Sequence, residues 1–281
     1  MEMGAQSVVR RAERTAANPG IEFLERVGYI VRGVLYAVMG GLALALALGI
    51  GGNATDQSGS LVWLTGNSAG KFLLLAVVIG LAAYSLWGFV RAIFDPLHRG
   101  DDPPGIAQRI GFAWSGIAYA SIAVFALKLL VGAASPHRQD GTQAAVASIL
   151  SIPGGRWIAV GIGVIALGAG IGQFVEAYKA TFRKDLKRSE MTKAEKEAVD
   201  NLGRLGMVSR GVTFSLVGWF VMLGGLNQDP SQARGYGGAF LFLIQQPFGR
   251  IILALVAIGF IALGLHSFAC ARWIRLLGSG R

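Results

Sequence analysis

Six stretches of this sequence carry no charge, and each is long. They run between Arg32 and Asp56, Lys71 and Arg91, Arg109 and Lys128, Arg156 and Glu176, Arg210 and Asp229, and Arg250 and Arg272. Each holds about 18 to 23 uncharged residues, and a helix needs ~20 to cross a ~30 Å hydrocarbon layer. Leu, Val, Ile, Ala, Gly and Phe fill them without the alternation of a strand, which argues for helices and against a barrel. The pattern predicts an all-α membrane protein with six transmembrane helices.

The six spans repeat in pairs. Arg26-x-Gly28 and Arg32-Gly33 through Tyr36 open the first span. Arg109-x-Gly111 and Ser115-Gly116 through Tyr119 open the third, and Arg204-x-Gly206 and Arg210-Gly211 through Phe214 open the fifth. The even spans begin at Gly70-Lys71, Gly155-Arg156 and Gly249-Arg250, and Phe89, Phe174 and Phe268 each follow 18 residues after the basic residue. Three copies of a two-helix unit, related by a pseudo-threefold axis, are the expected architecture. The copies cover 23–95, 105–182 and 201–276, with an N-terminal segment over 1–22 and a charged linker over 183–200. Within each copy an acid (Asp56, Asp140 or Asp229) and a short apolar stretch join the two spans. Pro153-Gly154 and Pro247 break the later two stretches. They read as short helices that lie at the interface or dip in as half-helices, and the interfacial form is favoured.

On these motifs the chain resembles the bacterial membrane proteins grouped as domain of unknown function 1206, which are three tandem two-helix repeats opening on an Arg-x-Gly motif. The resemblance covers residues 23 to 276, and the second copy departs from it with Ser115 in place of an arginine. It implies a bacterial inner-membrane protein and brings no activity with it. Mitochondrial carriers share the plan of three two-helix repeats, but their Pro-x-(Asp/Glu)-x-x-(Lys/Arg) signature is missing here.

Composition agrees with the bilayer. Charged residues are 15% of the chain and the apolar set is 53%, against about 25% charged in a soluble protein. The net charge of +10 is distributed by side. Of the 26 Lys and Arg, 18 fall on the N-terminus, the second and fourth connections and the C-terminus. The bias predicts cytoplasmic termini, with anionic lipid against that face, and removes the reason to invoke nucleic acid. No cleavable leader is expected, because the first 20 residues hold no apolar core. The single Cys270 excludes an intramolecular disulfide framework.

Chemistry has few candidates. Arg32 and Arg210 sit six residues past the boundary arginine, roughly 9 Å along a helix axis. At that depth snorkelling is favoured, whereas convergence on a shared axis would make an anion or headgroup site near the mouth. Ser115 is their counterpart in the second copy. Glu176 takes the place of Arg91 and Cys270, and either pairs with Arg32 or Arg210 or lies at the interface near Lys179. Asp56, Asp140 and Asp229 read as caps or turn residues more readily than as a ring around an outer vestibule. Lys128 is expected to snorkel. Gly33, Gly40, Gly116, Gly211 and Gly218 are read as helix-packing positions. Thr192-x-x-Glu195 predicts a capping box on a short charged helix reaching Asn201 in a solvated linker, and residues 5–17 suggest a further helix.

His266 stands alone in a span, so haem ligation is not expected, nor any other cofactor or metal. P-loop, Rossmann, His-x-x-x-His and nucleophile-elbow patterns are missing, and no enzyme is expected. Two functions remain. One is a small-solute or ion channel or transporter with an anion bias. The other is a non-transporting scaffold or accessory subunit that binds a protein partner, lipid or a second copy.

Overall fold

The computed structural model describes residues 19–50, 61–62, 65–66, 68–94, 103–133 and 141–273. Among the described residues, six helices are long and apolar enough to cross a membrane. They are α1 (Pro19–Leu48), α2 (Ser68–Phe94), α3 (Pro103–Leu130), α5 (Gly155–Lys179), α6 (Lys193–Leu226) and α8 (Gly249–Trp273). Two short helices, α4 (Gly141–Leu150) and α7 (Tyr236–Ile244), lie within the second and third units. Among the described residues, proline is confined to first turns and breaks, as its missing N–H requires. Pro19, Pro103 and Pro104 open helices, while Pro153 and Pro247 separate the short helices from the long ones that follow.

The strongest packing runs between units. Helix α2 lies on α3, α5 on α6, and α8 returns to α1, which closes three tandem units into a ring. The same residues make each seam. A Cβ on Gly33 would fall 2.6 Å from Phe268 Cε1 and 3.0 Å from the Gly264 carbonyl. On Gly211 it would meet Phe174 at 3.0 Å and the Gly170 carbonyl at 3.1 Å, and on Gly116 the Ser85 carbonyl at 3.2 Å and Phe89 at 3.4 Å. Ser85 stands where the other seams have glycine, and its hydroxyl donates to Gly116 O at 2.8 Å. Gly40 and Gly218 repeat the close approach nearer the far side, against Ala257 and Gly163. Backbones this near leave room only for small residues, and dispersion does the holding where lipid supplies no hydrophobic drive.

The boundary arginines act as helix caps. Arg26 Nη1 donates to the carbonyls of Ala271 and Arg272 at 3.2 and 3.3 Å. Arg109 makes the equivalent pair, Nε to Ala92 O at 3.0 Å and Nη2 to Ile93 O at 3.3 Å. A cation on the last carbonyls of a helix satisfies acceptors that have no partner within it.

Two expectations are corrected. Residues 181–203 are a folded cap on the terminal side, not a solvated linker. Phe182, Leu186, Met191 and Val199 are buried together with Cys270, the Lys187 N–H donates to Trp273 O, and Asp200 pairs with Arg183 and Arg188. The capping box at Thr192 and Glu195 is formed, but the helix it opens does not stop near Asn201 and continues unbroken into α6. Apolar residues spaced among the charges supply the buried face. Helix α7, expected at an interface, is inserted in the bundle, with Ala239, Phe240 and Leu243 buried among Met39, Leu253 and Phe260. Its sequence YGGAFLFLI has no charged face with which to lie on a surface. Helix α4 buries only Val146, packed on Ala159 and Val221, and so stays peripheral.

Candidate anion site at the centre of the bundle

Ten residues past Arg26, Arg109 and Arg204 stand Tyr36, Tyr119 and Phe214. That is roughly 15 Å along the axis, half of the hydrocarbon thickness. Phe260 reaches the same level from the opposite side, ten residues after Arg250. These side chains meet. Tyr36 packs 5.9 Å from Phe260, Tyr236 lies 5.9 Å from Phe260 and 5.7 Å from Phe214, and Tyr84 is edge-on to Tyr119 at 4.7 Å between ring centroids. Tyr29 extends the cluster from Tyr84 toward the terminal side. Five of the six tyrosines make such contacts in two groups: Tyr29 and Tyr84 with Tyr119, and Tyr36 and Tyr236 in an aromatic network with Phe214, Phe240 and Phe260. Tyr178, the sixth, is exposed.

Arg32 and Arg210 belong to this network. The Arg32 guanidinium lies 5.4 Å from the Tyr36 ring and that of Arg210 5.1 Å from Phe214, each reaching the aromatic residue one turn on. Tyr36 and Phe214 both pack on the Phe260–Tyr236 pair, which brings the two arginines toward one place. The Nε atoms of Arg32 and Arg210 are buried with no hydrogen-bond acceptor. Among the described residues, no carboxylate forms an ion pair with either guanidinium.

Snorkelling is therefore not what these arginines do. They turn inward onto rings, and cation–π contact offsets only part of their burial, at about 0.5–2 kcal/mol each. An arginine within a membrane helix is costly, at up to about 3 kcal/mol for the helix centre on insertion scales. Two of them, half-buried and facing aromatic rings, form a cationic centre with donors to spare.

Helix α7 adds a third contribution. Tyr236 is its first residue, so its N-terminus sits at the mid-membrane level of Phe214 and Phe260. Its N-cap residue is Gly235, which has no side chain of its own to cap with. Its nine residues carry the chain back outward about 13 Å at 1.5 Å per residue. A half-helix whose N-terminus ends at mid-membrane points the positive end of its dipole at that level.

The other candidates are placed elsewhere. Glu176 makes no ion pair with Arg32 or Arg210, and its Oε1 accepts from the Phe182 N–H at 2.8 Å, closing the turn after α5. Ser115 is half-buried one turn before Tyr119. Asp229 accepts from the Ser231 N–H and hydroxyl and from Gln232 Nε2, and so caps the 3₁₀ turn Pro230–Gln232. Asp56 and Asp140 lie outside the described residues, as does the segment 5–17. Lys128 is exposed in the last turn of α3. His266 is buried on the terminal side, with Nδ1 3.1 Å from Val199 O and Nε2 3.4 Å from Cys270 Sγ, and it ties α8 to the start of α6.

The tyrosines were the missed part of the site. Tyr36 and Tyr119 mark the repeat register, yet only the concentration of five phenols in apolar spans hints at a shared location.

The comparisons concern architecture. The family model described as Domain of Unknown Function (DUF1206) matches three times, over residues 27–95, 110–180 and 205–273. The chain is 34% identical over 251 residues to "Uncharacterized protein YxxB" of Bacillus subtilis (strain 168), covering 89% of this chain and 90% of that one. No solved structure matches. Three matched units, six membrane-length helices and a ring closed by equivalent seams place this multi-pass chain in the DUF1206 family.

Proposed function

We propose that this chain is a plasma-membrane protein, with both termini in the cytoplasm, that binds a small anion at the centre of its bundle and passes it across the membrane. One observation carries the reading: Arg32 and Arg210 lie within spans on the rings of Tyr36 and Phe214, which are joined through Phe260 and Tyr236, without a carboxylate partner among the described residues. A charge so placed is stabilised by a ligand of opposite sign, and the guanidinium fork suits oxyanions. The basic excess on the terminal side supports the orientation.

A non-transporting scaffold is the rival, favoured by the close small-residue seams and by the folded cap on the terminal side. Titration of the purified protein with chloride, acetate, sulfate and inorganic phosphate separates the two, followed by efflux of the bound anion from proteoliposomes. The wild type is expected to bind at least one oxyanion. Arg32→Gln with Arg210→Gln weakens it more than about tenfold, because charge-assisted hydrogen bonds contribute about 1.5–3 kcal/mol each. Indifference to all four anions, together with a stoichiometric companion in native mass spectra, would move the assignment to the scaffold.

A further inference from the structure

The ring has one weak joint, and the sequence explains where. In the first and third units the two long helices touch through matched positions. Gly28 lies against Tyr84 and Gly80 against Val31. Gly206 likewise lies against Leu263 and Gly259 against Ser209. In the second unit the corresponding residues are Gly111, Trp114 and Ile165. Gly111 has open space before it, and Trp114 and Ile165 are 71% and 73% exposed. Bulky side chains stand where Val31 meets Gly80 and Ser209 meets Gly259. Helices α3 and α5 accordingly have no packing comparable to that of α1 with α2 or α6 with α8.

The consequence is that α3 and α5 are left without a seam between them. Helices α3 and α5 are also the least buried of the long helices, and apolar residues such as Ile117 and Ile162 are exposed along them. Ser115 and Tyr119 lie on α3, beside and one turn beyond Trp114, and Tyr119 meets Tyr84 of α2 edge-on. Meanwhile α7 fills the far side between α1, α6 and α8, and the folded segment 181–203 covers the terminal side of α6 and α8.

We infer that the α3–α5 joint is a lateral portal through which an anionic amphiphile, with an anionic headgroup and a hydrocarbon tail, reaches the Arg32–Arg210 centre from within the bilayer. This rests on the anion reading above and names the ligand class. The headgroup meets the guanidiniums and phenols, as a free oxyanion would. The tail lies along α3 and α5, where exposed apolar side chains already match lipid, so neither part is desolvated without a partner.

The test uses the purified full chain and three probes in native mass spectrometry: phosphatidylglycerol, tail-matched phosphatidylcholine and inorganic phosphate. Phosphatidylglycerol is expected to be retained over phosphatidylcholine, and Arg32→Gln with Arg210→Gln abolishes the preference. Trp114→Val with Ile165→Gly restores the seam of the first unit. It is expected to reduce phosphatidylglycerol retention by about tenfold while leaving phosphate binding in place. Gly111→Leu, which fills open space, provides a second obstruction should the double variant fail to fold. Phosphate bound through the arginines with no preference for phosphatidylglycerol overturns the portal and leaves the anion site standing. Failure of both phosphate and phosphatidylglycerol to depend on the arginines overturns both. Phosphatidylglycerol binding unchanged in both obstructing variants overturns the lateral route.

Discussion

At the scale of single residues, the chain separates two kinds of charge. Several arginines and acids are satisfied locally, as caps or pairs: Arg26 and Arg109 on helix ends, Glu176 on Phe182, and Asp200 between Arg183 and Arg188. Others face aromatic rings: Arg91 lies over Tyr84, Trp87 and Phe112, while Arg32 and Arg210 lie over Tyr36 and Phe214, which are joined through Phe260 and Tyr236. Asp229 gives a pH signature to the first kind. The Ser231 hydroxyl, Gln232 and the Ser231 N–H, in that order, hold its carboxyl below the ordinary range. A lowered folded-state pKa contributes stability above the unfolded value and loses it as pH falls through the folded one. Asp229→Ala is therefore expected to lower the melting temperature slightly at neutral pH. The gap from wild type should close in acid, and a gap that widens on acidification would contradict the capping role. The arginine pair was visible in the sequence as charge inside a span. Its direction was not, because snorkelling and convergence place the same residue at the same height, and only packing on Tyr36 and Phe214 distinguishes them.

At the scale of elements, glycine position decides which helices touch. Gly211 faces Phe174 and the Gly170 carbonyl, while Gly111, in a different place of the same repeat, faces open space. Gly211→Leu is expected to cost 1–3 kcal/mol or more, the usual range for overpacking, and to lower the melting temperature. Gly111→Leu should leave it close to wild type. Equal behaviour of the two would show that the seams do not hold the ring. The six spans and the repeat were legible because the absence of charge over ~20 residues has one physical meaning in a long apolar chain. The short elements were less so. Helix α7 has the length and composition of an interfacial helix, and only its lack of a polar face marks it for burial. The 181–203 cap was obscured by its charges, since Leu186, Met191 and Val199 are too widely spaced to show a period.

For the whole molecule, the arrangement is a ring of three units with one loose joint, and its direction in the membrane is a further expectation. With Cys270→Ala as background, a cysteine at Ser189, exposed on the terminal side, should react with an impermeant maleimide only after the membrane is opened. Labelling of intact cells would reverse the orientation and with it the side from which a cytoplasmic anion approaches. The ring also bears on how the chain came to be threaded. Arg26 reaches the last turn of α8 as Arg109 reaches the last turn of α2, so the ends of the fold meet at a joint equivalent to one the chain crosses covalently. Where the polypeptide starts is then close to arbitrary. A gene rearranged to join Trp273 to Arg26 by a short linker, and to begin at α3, encodes the same ring with its loose joint in the first unit instead of the second.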